Sequence, residues 1–209
     1  HKVLPKSIAT RIINSEEEIA DYFTSVSILF ADIEGFTPIS AQMPALVVVR
    51  FLNGVFGEFD RIMQKHGCEK IKTIGDGYMA AAGVPIECAD HAERMTSAAF
   101  EMIETLTIPE DIREYMPEGT KLGIRIGLHT GPVVAGVIGQ DRFVYDIYSD
   151  AVNTAARMES HGVTNRVHVS AEFALHLQNR FMMTKNTTHG ISFEKRGEIE
   201  IKGKGKMKT

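Results

Sequence analysis

Cysteine is scarce in this chain: Cys68 and Cys88 are the only two among 209 residues. That excludes a disulfide-built scaffold, and since neither has a second cysteine or paired histidines at zinc spacing, it argues against a zinc site too. A reducing, intracellular setting fits such usage. Long hydrophobic runs are also missing. The longest aliphatic stretch, Ala45 to Val49, is far short of the roughly 20 apolar residues that cross a bilayer. Any membrane anchor is therefore expected outside these residues. Nor is positive charge in excess: 23 Lys+Arg face 27 Asp+Glu, a net charge of −4, which excludes the basic field that tracks a nucleic acid polymer. Repeats, low-complexity tracts and composition shifts are absent, so with 44% hydrophobic residues the length fits one unit with a substantial core.

What is present begins with two carboxylates at the ends of strand-like segments. Ser27-Ile28-Leu29-Phe30 is a mostly apolar run that stops at Asp32, and Ile71 to Ile74 lead into Gly75-Asp76-Gly77 before Tyr78-Met79-Ala80-Ala81 resumes. Alone, Gly75-Asp76-Gly77 reads as a plain hairpin turn. Asp32 at the mouth of a core strand is harder to explain that way. Two carboxylates on adjoining strand ends suit Mg²⁺, which takes one or two carboxylates together with substrate phosphates. Gly35 and Thr37 follow Asp32 closely, where backbone N–H groups are free to converge on an anion.

The order of elements reads as follows. Ser7 to Ile13 is a short helical lead-in, and Ser15-Glu16-Glu17-Glu18 has capping-box spacing. A strand over 25–31 precedes a helix from about Pro44 to His66, with Val48, Leu52, Val55, Phe56, Phe59, Ile62 and Met63 on one face and Gly67 as its stop. A hairpin over Glu69 to Gly83 turns at Asp76, and a second amphipathic helix runs from His91 to Leu106. Leu122, Ile124, Ile126 and Leu128 alternate within a strand, Lys121 to His129, which turns at Thr130-Gly131-Pro132 into Val133 to Ile138. A strand over 143–147 feeds a helix from Asp150 to Ser160, then come a strand at 166–170, a short helix over 171–178 and a tail of strands. This pattern predicts an α+β fold of the split βαβ, ferredoxin-like type, a mainly antiparallel sheet flanked by helices.

The later segments make the pattern recognisable. Phe143-Val144-Tyr145-Asp146-Ile147-Tyr148, Asp150 to Ser160 with Asn153 and Arg157, and Ile201-Lys202-Gly203-Lys204-Gly205, taken with the two aspartate segments, resemble the catalytic domain of class III nucleotidyl cyclases. The resemblance covers about 25–209. It implies that Asp32, Asp76 and the Ile33 carbonyl hold two Mg²⁺ or Mn²⁺ ions per active site. Backbone N–H groups of Glu34, Gly35, Phe36 and Thr37, with Lys202, would bind the outer phosphates. Asn153 would orient the ribose and Arg157 meet the α-phosphate; four residues apart on one helix, they point the same way. Lys204, Lys206 and Lys208 read as a solubilising edge row.

Adenine presents a donor at N6 and an acceptor at N1, and guanine the reverse, so a pocket must choose its polarity. The resemblance implies that Lys72 and Asp146, with the adjoining Ile147, contact the base, and that Lys with Asp selects ATP where Glu with Cys selects GTP. An adenylyl cyclase is therefore expected. The family arrangement further implies a head-to-tail homodimer. Asp32 and Asp76 of one chain would meet Lys72, Asp146, Asn153, Arg157 and Lys202 of the other. Asp141 stands where some relatives carry a phosphate-contacting arginine. Residues 1–22 are expected to be a transducer or linker and 23–209 the catalytic domain. The start at His1, without an initiator methionine or a secretory leader pattern, reads as a cut inside a longer protein. Its upstream regulatory or membrane domain would leave the catalytic part in the cytoplasm.

Overall fold

The computed structural model describes residues 4–16, 18–139, 142–184, 190–201 and 203–209. In chain order, α1 (Lys6–Ile13) leads to β1 (Ala20–Glu34), α2 (Phe36–Ser40), α3 (Ala45–Lys65), β2 (Glu69–Ile74) and β3 (Gly77–Ala82). Then come α4 (His91–Thr105), α5 (Glu110–Arg113), β4 (Gly123–Ile138), β5 (Val144–Tyr148) and α6 (Asp150–Ser160). β6 (Arg166–Val169), α7 (Ala171–Thr184), β7 (Glu198–Ile201) and β8 (Gly205–Lys208) complete the fold. The sheet runs β2-β3-β1-β4-β5, antiparallel throughout, with β6 parallel to β4 and β7-β8 forming a separate ribbon. This is the expected α+β architecture.

Alternation on the two longest strands builds a core on each face. Leu29, Ala31 and Ile33 of β1 and Ile124, Ile126 and Leu128 of β4 pack against α3, α4 and α7. Ile28 with Val133 and Ala135 packs the other face against Ile8 of α1 and Ala151 and Ala155 of α6. Period-two alternation is what lets one strand serve both layers.

Several boundaries differ from the sequence expectation, each for a local reason. Thr130-Gly131-Pro132 is not a turn, because β4 continues through it. Phe23 pairs with Val133 and Val26 with Gly131, so Thr24 and Ser25 together face Pro132. That is a β-bulge, placed where proline has no N–H for the ladder, and a bulge bends the strand and raises its twist. β1 extends beyond 25–31 at both ends because its ladder with β4 resumes on either side of this bulge. α7 runs past residue 178 because Phe181 continues the buried stripe of Phe173 and Leu177. No helix starts at the proposed capping box: Ser15, at φ 60, lies in the turn after α1, Glu16 pairs with Arg11, and Glu17 lies outside the described residues. Lys204 leaves the expected edge row, since its ammonium pairs with Asp150 at the start of α6. Lys206 stays opposite Glu200 and Lys208 opposite Glu198.

Candidate active site

The β1–β3 register brings the two aspartates together. Asp32 is paired with Gly77, the residue directly after Asp76. Ile74 and Gly77 close a two-residue loop in which Gly75 has φ 60, the positive φ that tight hairpin turns favour. The segment is thus a plain hairpin that also carries a candidate site carboxylate. The Thr37 hydroxyl donates to Asp76 Oδ2 at 3.0 Å, placing the start of α2 beside the pair, and Gly35 takes φ 80 at the N-cap of α2. The Ile33 side chain is buried in the core, so only its backbone carbonyl can serve the site.

Burial raises the Asp32 pKa above the ordinary carboxylate value, and the neighbouring Asp76 charge raises it further. Arg125 opposes both: it lies directly across the ladder from Asp32 and its Nη2 donates to Asp32 Oδ2 at 2.9 Å. Two carboxylates crowded so closely favour added positive charge. Among the described residues no group of three or more His, Cys, Asp or Glu is placed to hold a metal ion. The donors present, two carboxylates and a backbone carbonyl, fit a cation that completes its shell with phosphate and water, as Mg²⁺ does.

A second group forms around Asp146 on β5, which is buried. Lys72 Nζ donates to its Oδ2 at 2.5 Å, and its Oδ1 accepts the Ile147 backbone N–H at 2.8 Å. A buried carboxylate held from both sides presents a fixed polarity to any heterocycle that reaches it.

The third group lies on α6. Ser149 caps the helix by accepting the Val152 N–H. The buried stripe is Ala151, Thr154, Ala155 and Met158. Asn153 is exposed and Arg157 half-buried, and the Arg157 guanidinium lies against the Gly203 turn, 3.2 Å from where a β-carbon on that glycine would stand. Lys202 and Asp141 fall outside the described residues. Arg142 is exposed.

Sequence reasoning missed Arg125 and its second partner, Glu159 of α6, whose Oε1 is 3.2 Å from Arg125 Nε. It also missed the Thr164 hydroxyl, which donates to Glu34. A signal existed: Arg125 is the one charge on the strand face shared with Gly123 and Gly127, and glycines two residues either side of a charge mark a close backbone approach.

The family model described as the adenylate and guanylate cyclase catalytic domain matches residues 19–209. The chain is 40% identical over 208 residues to an adenylate cyclase of Mycobacterium tuberculosis, covering 99% of this chain and 44% of that protein. To the guanylate cyclase soluble subunit beta-2 of Rattus norvegicus it is 38% identical over 210 residues, covering 100% of the chain and 29% of that protein. The guanylate cyclase domain of RhGC from Catenaria anguillulae, solved in complex with GTP, superposes with a TM-score of 0.75 at 33% identity, covering 90% of this chain and 95% of that one. The chain belongs to the adenylate and guanylate cyclase catalytic domain family, the class III nucleotidyl cyclases. It spans less than half the length of these two curated relatives. No helix among the described residues is long and apolar enough to cross a membrane.

Proposed function

We propose that this domain converts ATP to 3′,5′-cyclic AMP and pyrophosphate. The relatives include enzymes named for either purine, so the choice of base rests on the Lys72–Asp146 pair. Lys72 donates to adenine N1 and Asp146 accepts from the N6 amino group, while guanine would meet donor with donor and acceptor with acceptor. Each polar group left buried and unpaired costs roughly 1 to 3 kcal/mol.

The ribose 3′-oxygen attacks the α-phosphorus in line; the new O3′–P bond forms as the bond to the β-phosphate oxygen breaks and pyrophosphate leaves. Asp32, Asp76 and the Ile33 carbonyl are the donors that would hold a pair of Mg²⁺ or Mn²⁺ ions. Bound there, such cations supply acidity for the 3′-hydroxyl and counter-charge for the leaving group. Asn153 holds the ribose, Arg157 neutralises charge on the α-phosphate in the transition state, and the Glu34 to Thr37 backbone with Lys202 binds the outer phosphates.

The acting unit in this reading is a head-to-tail homodimer with composite sites, Asp32 and Asp76 from one chain and the base pocket and α6 from the other. An exposed apolar strip supports self-association: Tyr22, Val134 and Tyr148 form one cross-strand row, and Ile138 stands opposite Val144. Residues 1–22 would transmit a signal from an upstream regulatory domain, since Ile8 is buried in the core and Arg11 pairs with Asp21 of β1. An ATP substrate places the catalytic part in the cytoplasm. The test is turnover of ATP and of GTP, each with Mn²⁺ and with Mg²⁺. Cyclic AMP should exceed cyclic GMP by roughly two orders of magnitude, and equal or greater cyclic GMP would overturn the assignment.

A further inference from the structure

A cavity of about 330 Å³ lies between α4, β4, β6, α7 and the segment 191–196, and none of the candidate active-site residues lines it. Most of its wall is apolar, built from side chains such as Phe100, Leu128, Val167, Phe173, Leu177 and Phe193. Leu128, Phe173 and Leu177 are core residues, so the chamber reaches into the packed interior. Its volume is at the small end of the range for small-molecule sites, roughly 300 to 1,000 Å³. Three charged residues line it, Arg166, Arg196 and Glu194, two cations to one anion. All three are exposed and so mark its mouth.

Arg196 is already held in place there. Its Nη1 donates to the His161 carbonyl at 2.6 Å and to His168 Nε2 at 3.3 Å. His168 accepts at Nε2 because its Nδ1–H is committed to the Met158 carbonyl at 2.7 Å. Burial lowers the His168 pKa, and the Arg196 charge lowers it further, which keeps the ring neutral. The other guanidinium nitrogens of Arg196, Nε and Nη2, make no hydrogen bond among the described residues. Beside it, the Arg196 N–H donates to the Thr209 carbonyl at 3.0 Å, and the Thr209 N–H to the Gly197 carbonyl at 3.1 Å. The Thr209 hydroxyl, also in the cavity lining, is buried and has no partner among the described residues. A buried hydroxyl left in that state calls for an acceptor.

We propose that this cavity binds a small amphiphile, an apolar chain or single ring bearing one carboxylate, with Arg196 and Thr209 holding the carboxylate at the mouth. Two carboxylate oxygens match the unused donors of a planar guanidinium and the orphan hydroxyl, while the apolar wall takes the body out of water. Glu194 at the same rim works against a doubly charged head such as phosphate. The site is independent of which purine the domain cyclises.

Calorimetric titration of the domain with decanoate, decanol and decylammonium, each below its micellar concentration, tests this. Decanoate should bind saturably at one per chain, decanol roughly tenfold more weakly and decylammonium more weakly still. Arg196→Gln should weaken decanoate roughly tenfold while leaving decanol within about twofold. Thr209→Val, which removes the orphan hydroxyl, should weaken decanoate roughly threefold to tenfold without lowering the melting temperature. Ser192→Trp, which fills the cavity from an exposed lining position, should abolish binding of all three. Absence of a saturable decanoate site, decylammonium binding as tightly as decanoate, or undiminished decanoate affinity in Ser192→Trp would overturn the proposal. So would equal weakening of decanoate and decanol by Arg196→Gln. Should Arg196→Gln unfold the domain by releasing His161, Thr209→Val and the wild-type ratio of decanoate to decanol affinity decide the matter.

Discussion

Lys72 and Asp146 meet at 2.5 Å although their strands, β2 and β5, lie at the two ends of the sheet path. Lys72 is registered through Met79 to Phe30 of β1, and Asp146 through Gly136 to Ala20. Along a flat β1 those two points would be separated by on the order of 30 Å. The bulge at Thr24-Ser25 opposite Pro132 supplies a corner between them. A proline that reads as a turn thus lies at the corner between the two ends of the path that joins Lys72 to Asp146.

Reversing that pair should reverse the preference. Lys72→Glu combined with Asp146→Cys removes the donor for N1 and the acceptor for N6. We expect the ATP to GTP ratio of kcat/KM to fall by roughly two orders of magnitude. Steady-state rates with both nucleotides check this, and an unchanged ratio would separate these residues from base choice.

Much of this arrangement was legible because periodicity and turn chemistry are local. The bounds of α6 follow from them to the residue, as does the hairpin that carries Asp76. The bulge was not legible, since Thr130-Gly131-Pro132 is ordinary turn composition and only pairing with β1 makes it a strand corner. Arg125 and Glu159 are 34 positions apart, and although the glycines flanking Arg125 mark a close approach, nothing local names Glu159 of α6 as what approaches. The Asp32–Asp76 group was suggested by two carboxylates at strand ends, although Asp76 alone would have passed for a turn, whereas Lys72 and Asp146 were found through the family resemblance.

Removing one member of the crowded aspartate pair should separate stability from function. Asp76→Asn keeps an acceptor for the Thr37 hydroxyl and relieves the repulsion that helps raise the Asp32 pKa. Without divalent cations the variant should melt at or above the wild-type temperature, by about 2 °C for a gain near 1 kcal/mol. Added Mn²⁺ should raise the wild-type melting temperature but not the variant's, and cation-dependent turnover should be lost. Equal stabilisation of both proteins by Mn²⁺ would move the metal site elsewhere.

Glu159 gives the apo domain a pH signature. Burial drives its pKa up to about 7 against the pull of Arg125, from the ordinary glutamate value of 4.5. Because the folded state holds the proton more tightly, this contribution is fully present below the unfolded value and is lost as pH rises through about 7. Buried His91, His129 and His168, whose pKa values are lowered by burial, slope the opposite way, but they are common to wild type and Glu159→Gln. Urea unfolding in chelator at pH 5 and pH 8 should therefore show wild type losing stability relative to the variant as pH rises. A pH-independent difference would show that Glu159 titrates normally.

The same small substitution should have opposite consequences at two glycines. At Gly127 a β-carbon would lie 2.0 Å from the Glu159 nitrogen and 2.6 Å from its α-carbon. These are backbone atoms that cannot swing aside, so α6 must retreat by more than an ångström to restore ordinary contact. Gly127→Ala should cost about 1 to 3 kcal/mol of stability. Because Asn153 and Arg157 are carried on that helix, it should also cost turnover on the order of a hundredfold. Gly57 lies in α3, exposed and with nothing within 4 Å of the added carbon, so Gly57→Ala should stabilise by roughly 0.5 to 1 kcal/mol through helix propensity, with turnover unchanged. Chemical denaturation and kcat on both variants check the pair. Full activity in Gly127→Ala would mean that the seat of α6 on β4 does not set the catalytic geometry.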